Sequence, residues 1–232
     1  MARLAELGRR WDLDAGQVGS LASLLELLSG DEHAPTTVRD VASALDVHVA
    51  DSLSALALSS VRDARAVADL GSGAGFPGIV LAVALPGASV ALVESAARRC
   101  EFLERAVAVA EIVNAQVVCA RAEEWGEGTG ACDLVVARAL APLAVLCEYA
   151  APLLAPGGAL VAWKGEVGPQ EALAGDRAAL LLGLQGEGAV RSEPYAGSVA
   201  HHLHVFRKVA PTPAGYPRRP GVASRRPLGG GS

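Results

Sequence analysis

Residues 67–78 read Val-Ala-Asp-Leu-Gly-Ser-Gly-Ala-Gly-Phe-Pro-Gly, with three glycines at alternate positions between an apolar run and a helical pattern. Glycines so placed let the backbone turn tightly and approach a ligand, while N–H groups at the following helix start point towards it. This is chemistry for holding a nucleotide-like molecule, and a loop of this kind alone leaves several nucleotide-binding folds open. Spacing narrows the choice. The dinucleotide fingerprint needs glycine at relative positions one, three and six. Here Gly71, Gly73 and Gly75 occupy one, three and five, and the sixth is Phe76, whose bulk would crowd a pyrophosphate. Two acidic residues accompany the loop: Asp69 just before it, and Glu94 closing the next apolar run. A carboxylate in the second place offers two oxygens to a ribose diol.

Positioning such groups requires a scaffold, and its elements are legible. Short apolar runs occur at 66–70, 89–93, 116–119, 134–137 and 159–163. Helical stretches separate them, clearest over 95–111, where Phe102, Leu103, Ala106, Val109 and Ala110 share a face. Strands alternating with helices at this spacing predict parallel strands with right-handed crossovers, a doubly wound α/β sheet. A last helix over 170–182 precedes runs at 188–192 and 202–206, close enough to form an antiparallel pair closing the sheet. Upstream, Leu21, Leu24, Leu25 and Leu28 recur at helical spacing, as do Val41, Ala44 and Leu45. Pro35 and the polar stretch 29–37 separate them, with Thr37 as the expected N-cap, and another helix is expected over 48–58. The organisation is a helical segment 1–60, an α/β domain 61–210 and a basic Pro/Gly-rich tail 211–232 with little regular structure.

Composition bounds the class. With 232 residues, 51% hydrophobic and 19% charged, the chain has material for a full core, which excludes disorder over most of its length. No apolar run approaches the roughly 18 residues of a membrane span, and the start passes directly into charged helical sequence without a signal peptide, so a cytoplasmic protein is expected. Cys100, Cys119, Cys132 and Cys147 form no Cys-x-x-Cys pair and have no histidine at ligand spacing. They read as core thiols rather than a metal site or disulfide framework. Residues 207–232 hold six of the 20 cationic residues and none of the 25 acidic ones, which leaves the body at net −11. A basic tail on an acidic body is a pattern for touching a polyanion, or a solubilising terminus.

The glycine loop, with Asp69 before it and Glu94 after the second strand, resembles the S-adenosylmethionine loop of doubly wound methyltransferases. Leu153-Leu-Ala-Pro-Gly-Gly158 and the closing antiparallel pair are also common there. More specifically, the chain resembles the bacterial 16S rRNA (guanine-N7)-methyltransferase family, RsmG or GidB, over roughly residues 45–228. The carriers are Phe-Pro-Gly within 69–79, Arg98-Arg-Cys-Glu-Phe-Leu103 after Glu94, Arg121-Ala-Glu-Glu124, and Asp133 to Arg138-Ala139. Trp163-Lys-Gly165, Tyr216-Pro-Arg-Arg-Pro-Gly221, Arg225-Arg-Pro-Leu228 and the upstream His48-Val-Ala-Asp-Ser-Leu53 complete them. The helical segment departs from the family: its usual Trp-Asn segment and Asn-Leu-Thr triplet are missing, and Val47 stands where a basic residue is common.

The resemblance implies a Rossmann-like class I fold and methyl transfer from S-adenosylmethionine to N7 of a guanine in 16S rRNA or the small ribosomal subunit. No metal, no membrane and a monomer are expected. Guanine N7 carries an in-plane lone pair and no proton, so no general base is required, and alignment and electrostatics carry the catalysis. By resemblance, Gly71, Gly73 and Gly75 form the floor under the cofactor with Phe76 packing nearby. Glu94 takes the ribose, and Ala122 and Glu123 flank the adenine. Arg138 faces the transfer site, binding the methionine carboxylate or the RNA backbone, and Lys164 meets an RNA phosphate. His48 and Asp51, on one helix face, border the site. Three other readings stay open: a small-molecule methyltransferase using the helical segment as a lid, a cofactor-binding ribosome-associated protein with little turnover, and a nicotinamide-dependent reductase.

Overall fold

Seven strands form one sheet: β1 (Ala66–Leu70), β2 (Ser89–Glu94), β3 (Ala115–Cys119), β4 (Cys132–Arg138), β5 (Leu154–Lys164), β6 (Leu184–Ser192) and β7 (His201–Lys208). The structure, a computed structural model, describes residues 2–198 and 201–230, so the last two residues of the tail lie outside the described residues. The sheet order is β3-β2-β1-β4-β5-β7-β6. The first five strands are parallel, and β7 runs antiparallel between β5 and β6. Every strand expected from sequence is present, most extended by a few residues at the ends.

Alternation explains the layers. Val67, Leu134 and Val136 pack to one face of the sheet, while Ala68, Leu70, Val135 and Ala137 pack to the other. Strands buried on both faces are those of a parallel sheet between helical layers. One face carries α6 (Gly78–Ala84) and α7 (Ala97–Val109); the other carries α8 (Leu143–Ala150) and α9 (Pro169–Leu181).

The N-terminal helices α1 (Ala2–Arg10) and α2 (Ala15–Gly30) lie over the α6–α7 face, and Leu21, Leu24, Leu25 and Leu28 belong to the same core as Val67, Leu92 and Val136. A capping box starts α2: Asp14 accepts from Gln17 N–H, and Gln17 Oε1 accepts from Asp14 N–H, both at 2.8 Å. Thr37 is not the cap of the next helix, α3 (Val41–Ala44). Asp40 is, accepting from Ser43 N–H at 2.9 Å. Either residue type suits the role, and the three-residue shift follows from where the chain leaves the Pro35 loop. The expected single helix over 48–58 is a series: a π turn Leu45–Ala50, α4 (Asp51–Ser54), a 3-10 turn Ala55–Ala57 and α5 (Ser59–Arg62).

Two further expectations change. Cys100, in the second turn of α7, and Cys119, ending β3, are joined by a disulfide with Cα atoms 5.8 Å apart, so they are not isolated core thiols. The crossover brings the two ends together, a proximity that a spacing of 19 residues does not announce. Cys132 and Cys147 are buried free thiols, and burial pushes the Cys132 thiol up to about 11. The tail, mostly irregular, includes a short helix α10 (Val222–Arg225), and Ala223 is buried against α8.

Candidate active site

In an open α/β sheet the crevice for ligands lies outside the carboxyl ends of the strands, where the strand order reverses. Here that is between β1 and β4, so the loop after β1 (Gly71–Pro77) and the residues after β4 (Arg138, Ala139) flank it. Two cavities occupy this end of the molecule, and Ala139 lines both. Its φ of +53° is uncommon for a residue with a Cβ.

The first cavity, about 270 Å³, is lined by Gly71, Glu94, Ala122, Glu123, Tyr149 and neighbours. Glu94 is 4% exposed. Its Oε1 accepts from Ser95 and Ala96 N–H at 2.8 and 2.9 Å; its Oε2 accepts from Gly73 N–H at 3.2 Å and lies 3.6 Å from Arg99 Nη1. A carboxylate has about four lone-pair sites, so one position on Oε2 stays open towards a ligand hydroxyl. Gly73 has φ +57°, and a Cβ there would meet only the Gly71 carbonyl, at 3.7 Å. The loop floor is therefore bare backbone facing open space. Gly78 is required for a different reason: its N–H donates to Asp69 Oδ2 at 3.0 Å, and a Cβ would stand 2.6 Å from that oxygen. Asp69 is fully buried, and desolvation, opposed chiefly by the Gly78 hydrogen bond, pushes its pKa up to about 6. A bare glycine floor, an open carboxylate position and an aromatic wall suit a nucleoside.

The second cavity, about 610 Å³, is lined by His48, Asp51, Arg138, Trp163, Lys164 and His201 among others. Asp51, 3% exposed, is its hub. Asp51 Oδ2 accepts from Arg138 Nη1 at 3.1 Å, its Oδ1 lies 3.0 Å from His201 Nδ1, and its backbone carbonyl accepts from Trp163 Nε1 at 3.3 Å. Arg138 also donates to the Val47 carbonyl, inside the π turn, at 2.9 Å, and sits over the Phe76 ring at 5.5 Å. Arginine only donates, so His48 Nδ1 accepts from Arg138 Nη2 at 3.1 Å, and the ring proton rests on Nε2, donating to Thr36 Oγ1 at 3.0 Å. Burial first, and then the Arg138 charge, lower the His48 pKa to about 4, so the ring is neutral at pH 7. It stacks on Phe76 with centroids 4.5 Å apart.

The residues singled out by sequence thus divide. Gly71, Glu94, Ala122 and Glu123 meet in the first cavity, whereas Arg138 and Lys164 line the second. Gly73 reaches the first through Glu94. Gly75 is filled behind by Ile79, and Phe76 is buried beneath His48. Glu123 Oε1 is already engaged by Gly221 N–H at 3.0 Å, and Lys164 Nζ by Glu171 Oε1 at 2.7 Å. Sequence reasoning gave Trp163 no site role beyond its place in the Trp163-Lys-Gly165 motif, and did not select Tyr149 or His201. The cluster of His201, His202 and His204 on one strand was the available signal for the last.

Known proteins resemble the chain in sequence and in fold. The model of the family described as "rRNA small subunit methyltransferase G" matches residues 19–192. A protein of Pelotomaculum thermopropionicum named Ribosomal RNA small subunit methyltransferase G is 40% identical over 185 residues, covering 78% of this chain and 77% of the relative. One of the same name from Rubrobacter xylanophilus is 38% identical over 230 residues, covering 95% and 88%. Among solved structures, a 16S rRNA (adenine(1408)-N(1))-methyltransferase from Catenulisporales acidiphilia matches with TM-score 0.53 at 19% identity, covering 66% of this chain and 89% of that one. Cofactor-bound Rv0187 from MTB matches with TM-score 0.55 at 19% identity, covering 83% and 90%. These structural likenesses speak to the fold.

Proposed function

The chain belongs to the rRNA small subunit methyltransferase G family, and from that premise we propose that it transfers the methyl group of S-adenosylmethionine to N7 of a guanine in 16S rRNA. The observation that carries this reading is the pair of cavities meeting at Ala139: one suits a nucleoside, the other presents a fixed guanidinium.

Bound S-adenosylmethionine supplies an electrophilic sulfonium methyl. The protein's part is placement. Gly71 and Gly73 expose the backbone floor, Glu94 Oε2 accepts from a ribose hydroxyl, and Ala122, Glu123 and Tyr149 wall the adenine. Phe76 acts from below, as the surface on which His48 and Arg138 rest. Arg138, held by Val47, Asp51 and His48, retains two of its five N–H donors and is assigned to orienting the acceptor rather than the methionine carboxylate. Lys164, steadied by Glu171, supplies positive charge at the rim for an RNA phosphate. No residue is assigned as a base, because N7 attacks as its free lone pair; alignment and a preorganised polar wall supply the acceleration. The family supports a cytoplasmic enzyme, and we assign it as a monomer. No helix among the described residues is long and apolar enough to cross a membrane.

The test is incubation with methyl-labelled S-adenosylmethionine and small ribosomal subunits lacking N7-methylguanine, followed by nuclease digestion and mass spectrometry. Label on one guanine N7 is the expected outcome. Cofactor binding without label on subunits or free rRNA would sink the assignment in favour of a small-molecule acceptor.

A further inference from the structure

From sequence, the cations of the C-terminal tail read as a pattern for touching a polyanion, or as a solubilising terminus. Among the four arginines of residues 211–232, Arg218 points inward. Arg218 grips Glu148 of α8 with Nε–Oε1 at 2.8 Å and Nη2–Oε2 at 2.5 Å, and its backbone N–H adds a third bond to Oε1 at 3.1 Å. Glu148 is 1% exposed, so the pair is buried on the carboxylate side, where loss of the cation would leave an uncompensated charge. Three residues on, Gly221, at φ +76°, turns its N–H onto Glu123 Oε1. Three further on, Ser224 Oγ lies 2.9 Å from the Tyr149 hydroxyl, while Ala223 packs into the core beside α8. Arg219, Arg225 and Arg226 are exposed.

The anchors share a destination. Glu123 and Tyr149 line the first cavity, and Glu148 precedes Tyr149 on α8. We propose that residues 216–224 form the outer support of the cofactor site. They hold the Glu123 carboxylate and the Tyr149 ring from behind, so affinity for S-adenosylmethionine depends on the docked tail. Arg218, Gly221 and Ser224 are positioning residues, acting through Glu148, Glu123 and Tyr149. Undocked, both wall side chains regain rotamer freedom that the ligand must then remove. The tail has two faces: an inner one that shapes the cofactor wall and an outer one that carries exposed cations. This inference rests on the first cavity being the cofactor site.

Neighbouring arginines make the experiment. Full-length Arg218→Ala and Arg219→Ala remove the same charge one residue apart, and S-adenosylhomocysteine binding is read by calorimetry beside the ligand-free melting temperature. Arg218→Ala is expected to weaken binding about tenfold or more, the scale of a lost hydrogen bond to a charged group. Arg219→Ala should stay within about twofold. Equal effects of the two substitutions overturn the proposal. Linkage supplies a readout on the wild type, independent of whether Arg218→Ala folds: if docking favours the cofactor, the cofactor favours docking by the same factor. Saturating S-adenosylhomocysteine should therefore slow hydrogen exchange at the Gly221 amide, and an unchanged rate overturns the proposal. A wild-type protein that binds no S-adenosylhomocysteine overturns the cofactor reading itself, which is a separate result.

Discussion

The two cavities beside Ala139 are built by different means. Much of the first cavity comes from backbone: the glycine loop after β1, which fills one of Glu94's acceptor positions, the turn after β2, which fills two more, and the short turn after β3. The second cavity is assembled from side chains of four separate parts of the chain, joined at Asp51 through its buried carboxylate and its backbone carbonyl. A backbone site is set by local conformation, and single side chains near it are partly replaceable. A site hung on one buried ion cluster carries stability and function together. Damage on the first side should therefore appear as lost cofactor affinity in a sound fold, and damage on the second as lost stability or lost transfer with the cofactor still bound.

Asp51→Ala is the largest expected effect, because it strands Arg138 without its carboxylate. Stability should fall by about 3–5 kcal/mol in urea unfolding, and a loss below about 1 kcal/mol, the size of an ordinary surface change, would break the hub description. Gly73→Val comes next: a β-branched residue at φ +57° with its side chain in the ligand space. Cofactor affinity should drop about 100-fold, equivalent to about 3 kcal/mol, while far-ultraviolet circular dichroism stays native. Retained affinity in calorimetry would remove the loop from the cofactor site. Arg138→Ala should slow transfer by about 100-fold, as for loss of one preorganised donor, with cofactor affinity nearly unchanged; near-normal turnover would make Arg138 a purely structural residue.

The smallest effect is a pH dependence. The folded pKa of His48 is depressed to about 4 from an ordinary 6.5. Its contribution to stability is therefore fully present above pH 6.5 and is lost as the pH falls from 6.5 towards 4, because the unfolded chain takes up a proton that the folded ring refuses. His48→Gln should flatten the stability profile across that window. Parallel profiles for the two proteins would mean that His48 is not held neutral by its burial and Arg138.

What the sequence reveals follows the same division. The strands, the glycine loop and Glu94 are legible because each depends on neighbours within a few residues: alternation, glycine spacing, a carboxylate at a strand end. The second cavity is not. His48 and Asp51 are visible as a helical pair, yet nothing local shows that Arg138 lies between them or that His201, 150 residues further on, takes the other Asp51 oxygen. The same holds for Arg218 with Glu148 across 70 residues, and for the disulfide between Cys100 and Cys119. The π turn presenting Val47 and His48 has no sequence signature. The Asp40 cap was missed because Thr37 satisfies the same rule.

The leucines of α2 share one continuous core with β1, β2 and β4, and Gln17 Nε2 donates to the Val83 carbonyl of α6 at 2.6 Å. Swinging the helical segment away would expose Leu21, Leu24, Leu25 and Leu28 together, each worth roughly 1.5–3 kcal/mol of burial. The N-terminal helices are therefore packed as part of the core and do not serve as a hinged door over the second cavity. On the proposed function, access would then fall to the nucleic acid: a target guanine would enter by leaving its own stack, as in enzymes that act on an extruded base, and nucleotides already unpaired or loosely stacked would be favoured before any hydrogen bond reads them.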